Sequence, residues 1–154
     1  MEIERKFLID RGNLPEDLER YRCLRIEQGY LCTDPVVRIR RQDEEYYLTY
    51  KSKGMLAREE YNLPLNGEAY EHLKGKADGI FISKLRYVIP ERDGLFIELD
   101  VFEAPYEGLL LAEVEFPSED AARSYEPPEW FGEDVTFNSK YHNSTLSKGK
   151  PGER

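Results

Sequence analysis

Apolar and polar residues alternate with period two along most of this chain, in short runs separated by Gly, Pro, Asn and Asp. That is the pattern of an antiparallel sheet. Eight segments carry it, over residues 2–9, 22–30, 36–42, 46–52, 57–63, 82–89, 95–102 and 109–116. Three other segments read as short helices lying over the sheet. Residues 13–20 offer Asn13 as an N-cap with Pro15 just inside, 66–76 end in turn residues, and 118–124 open with Ser-Glu-Asp and stop before Pro127 and Pro128. Turns are expected at Asp43-Glu44-Glu45 and at Arg92-Asp93-Gly94,. Residues 1–147 are expected to form one domain, and the polar tail 148–154 to be disordered,.

Successive side chains of a strand point to opposite faces, so each segment can be sorted. Glu2, Glu4 and Lys6 share one face of the first strand, against Ile3, Phe7 and Ile9. The third sets Arg38 and Arg40 against Val37 and Ile39, and the fourth sets Thr49, Lys51 and Lys53 against Leu48 and Tyr50. Arg58, Glu60 and Asn62 follow in the fifth, and Lys84 and Arg86 oppose Leu85, Tyr87 and Ile89 in the sixth. The seventh sets Glu98 and Asp100 against Ile97, Leu99 and Val101; the eighth sets Glu113 and Glu115 against Ala112, Val114 and Phe116.

A wet outer face is the ordinary explanation of such charges. Segregation of sign argues otherwise, because like charges close together are unfavourable unless something of opposite charge meets them. A closed barrel with the charged faces inward and the apolar faces outward satisfies both. An eight-stranded barrel holds one small ligand, and this many charges require a wet or occupied lumen. A polyphosphate suits the basic set. A hard divalent cation, usually Mg²⁺, lets the acidic set face the same ligand.

Composition narrows the partners. The chain has 154 residues, 40% of them hydrophobic, which is one domain's worth,. With 22 basic and 31 acidic residues its formal charge is −9, which disfavours nucleic acid and anionic membranes as partners,. The chain opens with charge, as MEIERK, and no apolar run approaches the roughly 20 residues of a membrane span, so neither signal peptide nor anchor is expected,. Cys23 and Cys32 read as free thiols, at least one of them buried, in a reducing cytoplasm,. His72 and His142 read as structural or surface residues, Trp130 as a structural plug, Tyr30 and Tyr50 as packing, and Arg41 and Lys53 as surface charges. The outer face of 95–101 needs cover, from helices or from a second subunit in a homodimer,.

The opening Glu2-Ile3-Glu4-Arg5-Lys6-Phe7-Leu8, with its ExExK signature, resembles the CYTH domain, a family also called the triphosphate tunnel metalloenzymes. Further matches follow in order: Gln28-Gly29-Tyr30-Leu31, Val37-Arg38-Ile39-Arg40, Leu48-Thr49-Tyr50-Lys51, Arg58 with Glu60, Lys84-Leu85-Arg86, Glu98-Leu99-Asp100-Val101-Phe102, Glu113-Val114-Glu115, and Asp134-Val135-Thr136 leading to Lys140-Tyr141. The resemblance implies a mainly β fold, an eight-stranded antiparallel closed barrel forming a tunnel. It also implies Mg²⁺- or Mn²⁺-dependent chemistry on a small triphosphate.

On that resemblance Lys6, Arg38, Arg40, Lys51, Arg58, Lys84 and Arg86 grip the phosphate chain and Lys140 closes one end. Glu2, Glu4, Glu98, Asp100, Glu113 and Glu115 hold metal, and a carboxylate among Glu2, Glu4 and Glu60 helps activate water, with Lys6 also in the catalytic set. Two positions depart from the family pattern: Asn62, where a second Glu is common, and Lys140, where Arg is common. The EIERKFL opening is most similar to the compact bacterial inorganic triphosphatases. Class IV adenylate cyclase, thiamine triphosphatase and a non-catalytic polyphosphate- or nucleotide-binding module are the alternatives on the same tunnel.

Overall fold

The structure, a computed structural model, describes residues 1–149. Its strands are β1 (Glu2–Leu8), β2 (Arg22–Thr33), β3 (Val36–Gln42), β4 (Glu45–Lys51), β5 (Ala57–Arg58), β6 (Glu60–Leu65), β7 (Asp78–Pro90), β8 (Phe96–Phe102) and β9 (Leu110–Glu115). They form one sheet in the order β5-β1-β9-β8-β7-β2-β3-β4-β6, antiparallel throughout. Nine strands replace the expected eight because the segment over 57–63 breaks at Glu59. Ala57 and Arg58 pair with Ile3 and Glu2, whereas Glu60–Leu65 pairs with β4. The two ends of the strand order are thus consecutive in the chain, and the sheet is a nearly closed barrel.

The seam beside β1 is completed by other backbone. Beyond Ile3 the free edge of β1 meets Leu56, whose carbonyl accepts the Glu4 N–H at 3.1 Å. Residues 132–136 then lie along it. Gly132 donates to Leu8, Leu8 to Glu133 and Val135 to Lys6, each at 2.8 Å, and Phe7 and Asp134 form an isolated bridge.

Two of the expected helices form. In α1 (Gly67–Lys74) the Asn66 side chain caps Ala69, and in α2 (Glu119–Ser124) Ser118 caps Ala121. The helix expected over 13–20 does not form. Two 3₁₀ turns, Arg11–Asn13 and Leu18–Arg20, flank Asp17, whose left-handed φ of 58° a right-handed helix cannot carry,. A 3₁₀ turn Ser139–Tyr141 and a short α3 (Asn143–Leu146) were not anticipated.

The principal core lies outside the barrel. Ile3, Phe7, Ile97, Leu99, Ala112 and Val114 project from the outer faces of β1, β8 and β9 onto Ala122, Tyr125, Trp130 and Phe131, with Leu14, Leu18 and Tyr21 beside them. The outer face of 95–101 is therefore covered by the chain's own segments. A second cluster, Ile82, Phe102, Tyr106, Leu111, Val135 and Leu146, closes one barrel end. There α3 packs against inward-facing apolar residues.

Both cysteines are exposed and free, contrary to the burial expected from their type. They sit on β2, whose inward face is taken instead by Leu24, Ile26, Gln28 and Tyr30. Lys148 and Gly149 continue the turn after α3 through bonds to Thr145 and Leu146, and the rest of the expected tail lies outside the described residues. No described helix is long and apolar enough to cross a membrane.

Candidate active site in the barrel lumen

Strand order sorts the lumen by charge. β1, β9 and β8 are consecutive neighbours and bring Glu2, Glu4, Glu113, Glu115 and Glu98 to one arc; β7, β2, β3 and β4 bring Arg86, Arg40, Arg38 and Lys51 to the other. Between them is a cavity of about 190 Å³ lined by these residues with Lys6, Arg58, Glu60 and Asn62. The alternation of strand side chains accounts for this gathering: every one of these residues lies on the face predicted to be charged.

Ion pairs tie the arcs together at their edges. Lys51 Nζ lies 3.0 Å from Glu2 and 3.3 Å from Glu60, and Arg58 Nε donates to Glu2 at 3.2 Å. Lys6 Nζ is 3.4 Å from Glu113. Against the burial that would raise it, Lys51 draws the Glu60 carboxyl down to about 2. Glu113 is likewise held well below the usual carboxylate range, where Lys6 and Arg86 outweigh its burial.

Three expected site residues stand elsewhere. Lys84 and Asp100 are fully buried and paired at 2.7 Å beneath the cavity wall, not on it. Arg86 holds Asp100 by a two-pronged bond of 2.8 and 2.9 Å, so both carboxylate oxygens are occupied by cations. Such a pair supports the floor, because removing either partner would strand a buried charge. Lys140 is exposed on its 3₁₀ turn, with its ammonium over the Tyr141 ring, and lies outside the cavity.

Several lining residues escaped the strand pattern. Tyr30 lines the cavity and is 3% exposed. Gln28, fully buried, accepts from Arg40 at 2.9 and 2.6 Å and so orients that guanidinium. The inward positions of β2 mix Leu24 and Ile26 with Gln28 and Tyr30, so no run of charge marks them. Thr136, His142, Asn143 and Ser144 reach the cavity from the C-terminal segment. The His142 imidazole is pushed down by burial and by Lys6, and a residue read as structural or surface is part of the wall.

Both arcs carry charge that the protein itself leaves unmatched. Burial, Arg38 and Arg86 push the Arg40 guanidinium down to about 9. Arg38 Nη2 donates to Thr49 at 3.2 Å, but its Nε is buried with no partner. On the other arc, burial, Glu113 and Glu2 raise Glu4 to about 8, and Glu115 is raised by burial and by Glu2, Glu60 and Glu98. Glu4 faces Glu115, and Glu98 faces Glu113, across adjacent strands. Crowded oxygen donors of this kind suit a hard divalent cation. Among the described residues, no three metal-binding side chains are already gathered about one point.

The barrel thus keeps its apolar layer outside and sets a cationic arc against a carboxylate arc within. The chain is a member of the CYTH family: the CYTH domain matches residues 1–150. It is 41% identical over 153 residues to an inorganic triphosphatase of Nitrosomonas europaea, covering 97% of this chain and 99% of that one. It is 38% identical over 152 residues to an inorganic triphosphatase of Acetivibrio thermocellus, covering 96% and 93%. A crystal structure of an inorganic triphosphatase superposes with a TM-score of 0.71 at 39% identity, over 99% of this chain and 97% of that one.

Proposed function

We propose that this protein hydrolyses inorganic triphosphate, splitting tripolyphosphate into pyrophosphate and phosphate with Mg²⁺ or Mn²⁺. The observation that carries this reading is a cationic arc whose charge the protein does not itself match: Arg38 Nε has no partner, and Arg40 is held at about 9 beside two other guanidinium groups. A linear triphosphate supplies phosphoryl oxygens to such a row, with charge-assisted bonds in fixed geometry. The relatives named inorganic triphosphatase support the same substrate. Two exposed free thiols support a reducing compartment, the cytoplasm,.

Lys6, Arg38, Arg40 and Arg86 bind and align the phosphate chain, and Lys51 and Arg58 do so from positions fixed by Glu2. Glu4, Glu98, Glu113 and Glu115 are the carboxylates that would hold metal, which when bound neutralises phosphoryl oxygens and polarises water. In hydrolysis the water oxygen bonds to a terminal phosphorus, the bridging P–O bond breaks, and pyrophosphate leaves with the bonding electrons. A carboxylate among Glu2, Glu4 and Glu60 takes up the water proton,. The transition state of phosphoryl transfer is loose, so alignment and charge stabilisation carry most of the catalysis.

The test is phosphate release from tripolyphosphate, ATP and thiamine triphosphate with Mg²⁺, Mn²⁺ or EDTA, with ATP also followed for cyclic AMP. Metal-dependent turnover that favours tripolyphosphate is expected. Preference for either organic triphosphate would replace the substrate, and binding without turnover would replace the enzyme by a binding module.

A further inference from the structure

We propose that Arg5, Asp134 and Thr136 form a positioning relay that carries the constraint of the outer core to Lys6; the inference rests on the triphosphatase reading for the role of Lys6. The relay begins at the seam. A strand with a neighbour on each side gives every amide a backbone carbonyl. Lys6 lies where β5 has ended, and its N–H is instead accepted by the Thr136 hydroxyl oxygen at 3.0 Å. Its carbonyl takes the Val135 N–H at 2.8 Å. One of the bonds that hold this lumen cation in register therefore comes from a side-chain atom of a segment 130 residues away.

The direction of that bond is fixed chemically. A hydroxyl has one proton and two lone pairs, and an ionised carboxylate only accepts. Thr136 Oγ1 donates its proton to Asp134 Oδ1 at 2.6 Å, which leaves its lone pairs for Lys6. The same Asp134 oxygen accepts the Thr136 N–H at 2.9 Å. Asp134 Oδ2 is in turn gripped by Arg5 through Nε at 3.3 Å and Nη2 at 2.9 Å.

Arg5 is itself over-determined. It lies on the outer face of β1, between two luminal residues, and its Nη1 donates to the Ala122 and Tyr125 carbonyls at 3.0 and 2.9 Å. Its guanidinium stacks over Phe7 and Tyr125, 5.0 and 5.9 Å from their centroids. The outer core thus fixes Arg5, Arg5 fixes Asp134, and Asp134 orients the hydroxyl that holds Lys6. Inside the lumen, Lys6 Nζ meets the Tyr141 carbonyl at 3.2 Å, so both ends of the residue are set by one segment.

The test compares Thr136→Val, which keeps the shape and loses the hydroxyl, with Thr136→Ser, which keeps the hydroxyl. Arg92→Ala serves as a stability control, because Arg92 also packs on Tyr125 and bonds the Glu126 carbonyl without touching Asp134. Three quantities are read well below the unfolding transitions: hydrogen exchange at the Lys6 amide, tripolyphosphate affinity in EDTA, and KM against kcat with metal. In Thr136→Val, Lys6 exchange should quicken, affinity fall and KM rise, each by about tenfold, the worth of one buried hydrogen bond. Thr136→Ser should restore all three, and Arg92→Ala should leave KM unchanged. Native exchange and KM in Thr136→Val, or an equal KM rise in Arg92→Ala, would overturn the relay. If the unaltered protein neither binds nor cleaves tripolyphosphate, the substrate reading is what fails, and the Lys6 amide still decides the relay.

Discussion

Truncating Arg40 separates stabilising from functional charge. Its guanidinium is lowered from 12.5 to about 9, which at 1.36 kcal/mol per unit puts a ceiling of ~5 kcal/mol on the strain of charging it,. Partial solvent access reduces that to about 2–3 kcal/mol. The same charge makes two bonds to Gln28, and losing charged hydrogen bonds costs about 1.5–3 kcal/mol,. The two effects nearly cancel. Arg40→Ala should therefore shift the unfolding midpoint by no more than about 4 °C without ligand, at roughly 2–4 °C per kcal/mol for a chain this size. Its kcat/KM on tripolyphosphate should fall about 100-fold, the loss of one or two charge-assisted contacts. The midpoint rise given by saturating tripolyphosphate, worth about 2.7 kcal/mol at a hundredfold excess over Kd, should also shrink. Differential scanning with and without tripolyphosphate, alongside phosphate release, reads every term. A loss of more than about 4 kcal/mol in the ligand-free variant would refute the reasoning, since Arg40 would then be holding the barrel together.

Phe7→Ala should destabilise by about 3–5 kcal/mol in urea melts, because Phe7 is 1% exposed and packs on Phe131 at 4.8 Å; a loss under 1 kcal/mol would remove the outer core from its central role,. Lys140→Ala should keep kcat/KM within about twofold, the ordinary behaviour of a surface position, and a large loss would return it to the site,. For Glu4, raised from 4.5 to about 8, the metal-free folded chain holds more protons than the unfolded one between those values. Stability in EDTA should therefore fall as pH rises from 4.5 to 8, by at most ~5 kcal/mol, and Glu4→Gln should flatten the slope. Parallel urea-stability profiles for the two proteins would contradict the assignment.

The strand faces were legible because charge alternates with apolar residues along most of β1, β3, β8 and β9, with Arg5 and Arg41 as exceptions. Parity put Glu4, Arg38, Arg40 and Glu113 on charged faces, and the segregation of sign together with the family resemblance turned those faces into one lumen. Parity could not reveal depth: Lys84 and Asp100 share the parity of Arg86 and Glu98, yet lie beneath the wall. β2 was half-read, because its inward face mixes the apolar Leu24 and Ile26 with Gln28 and Tyr30 and carries no charge. Nor does local pattern mark the break at Glu59 or the run 132–136 against β1. Both depend on contacts between segments far apart in the chain, which periodicity does not encode. The exposed cysteines and the absent helix at 13–20 show type and propensity yielding to position.

Placing the apolar layer outside the strands has an evolutionary consequence. Most globular proteins must alter their chemistry without disturbing a central core, whereas here β1, β8 and β9 carry the main core on one side and the charged lumen on the other. Replacements in the lumen, where like charges already strain one another, draw little on the margin that keeps the chain folded. Such a scaffold can drift between anionic substrates while its exterior stays fixed, and selection can act on the two faces almost independently.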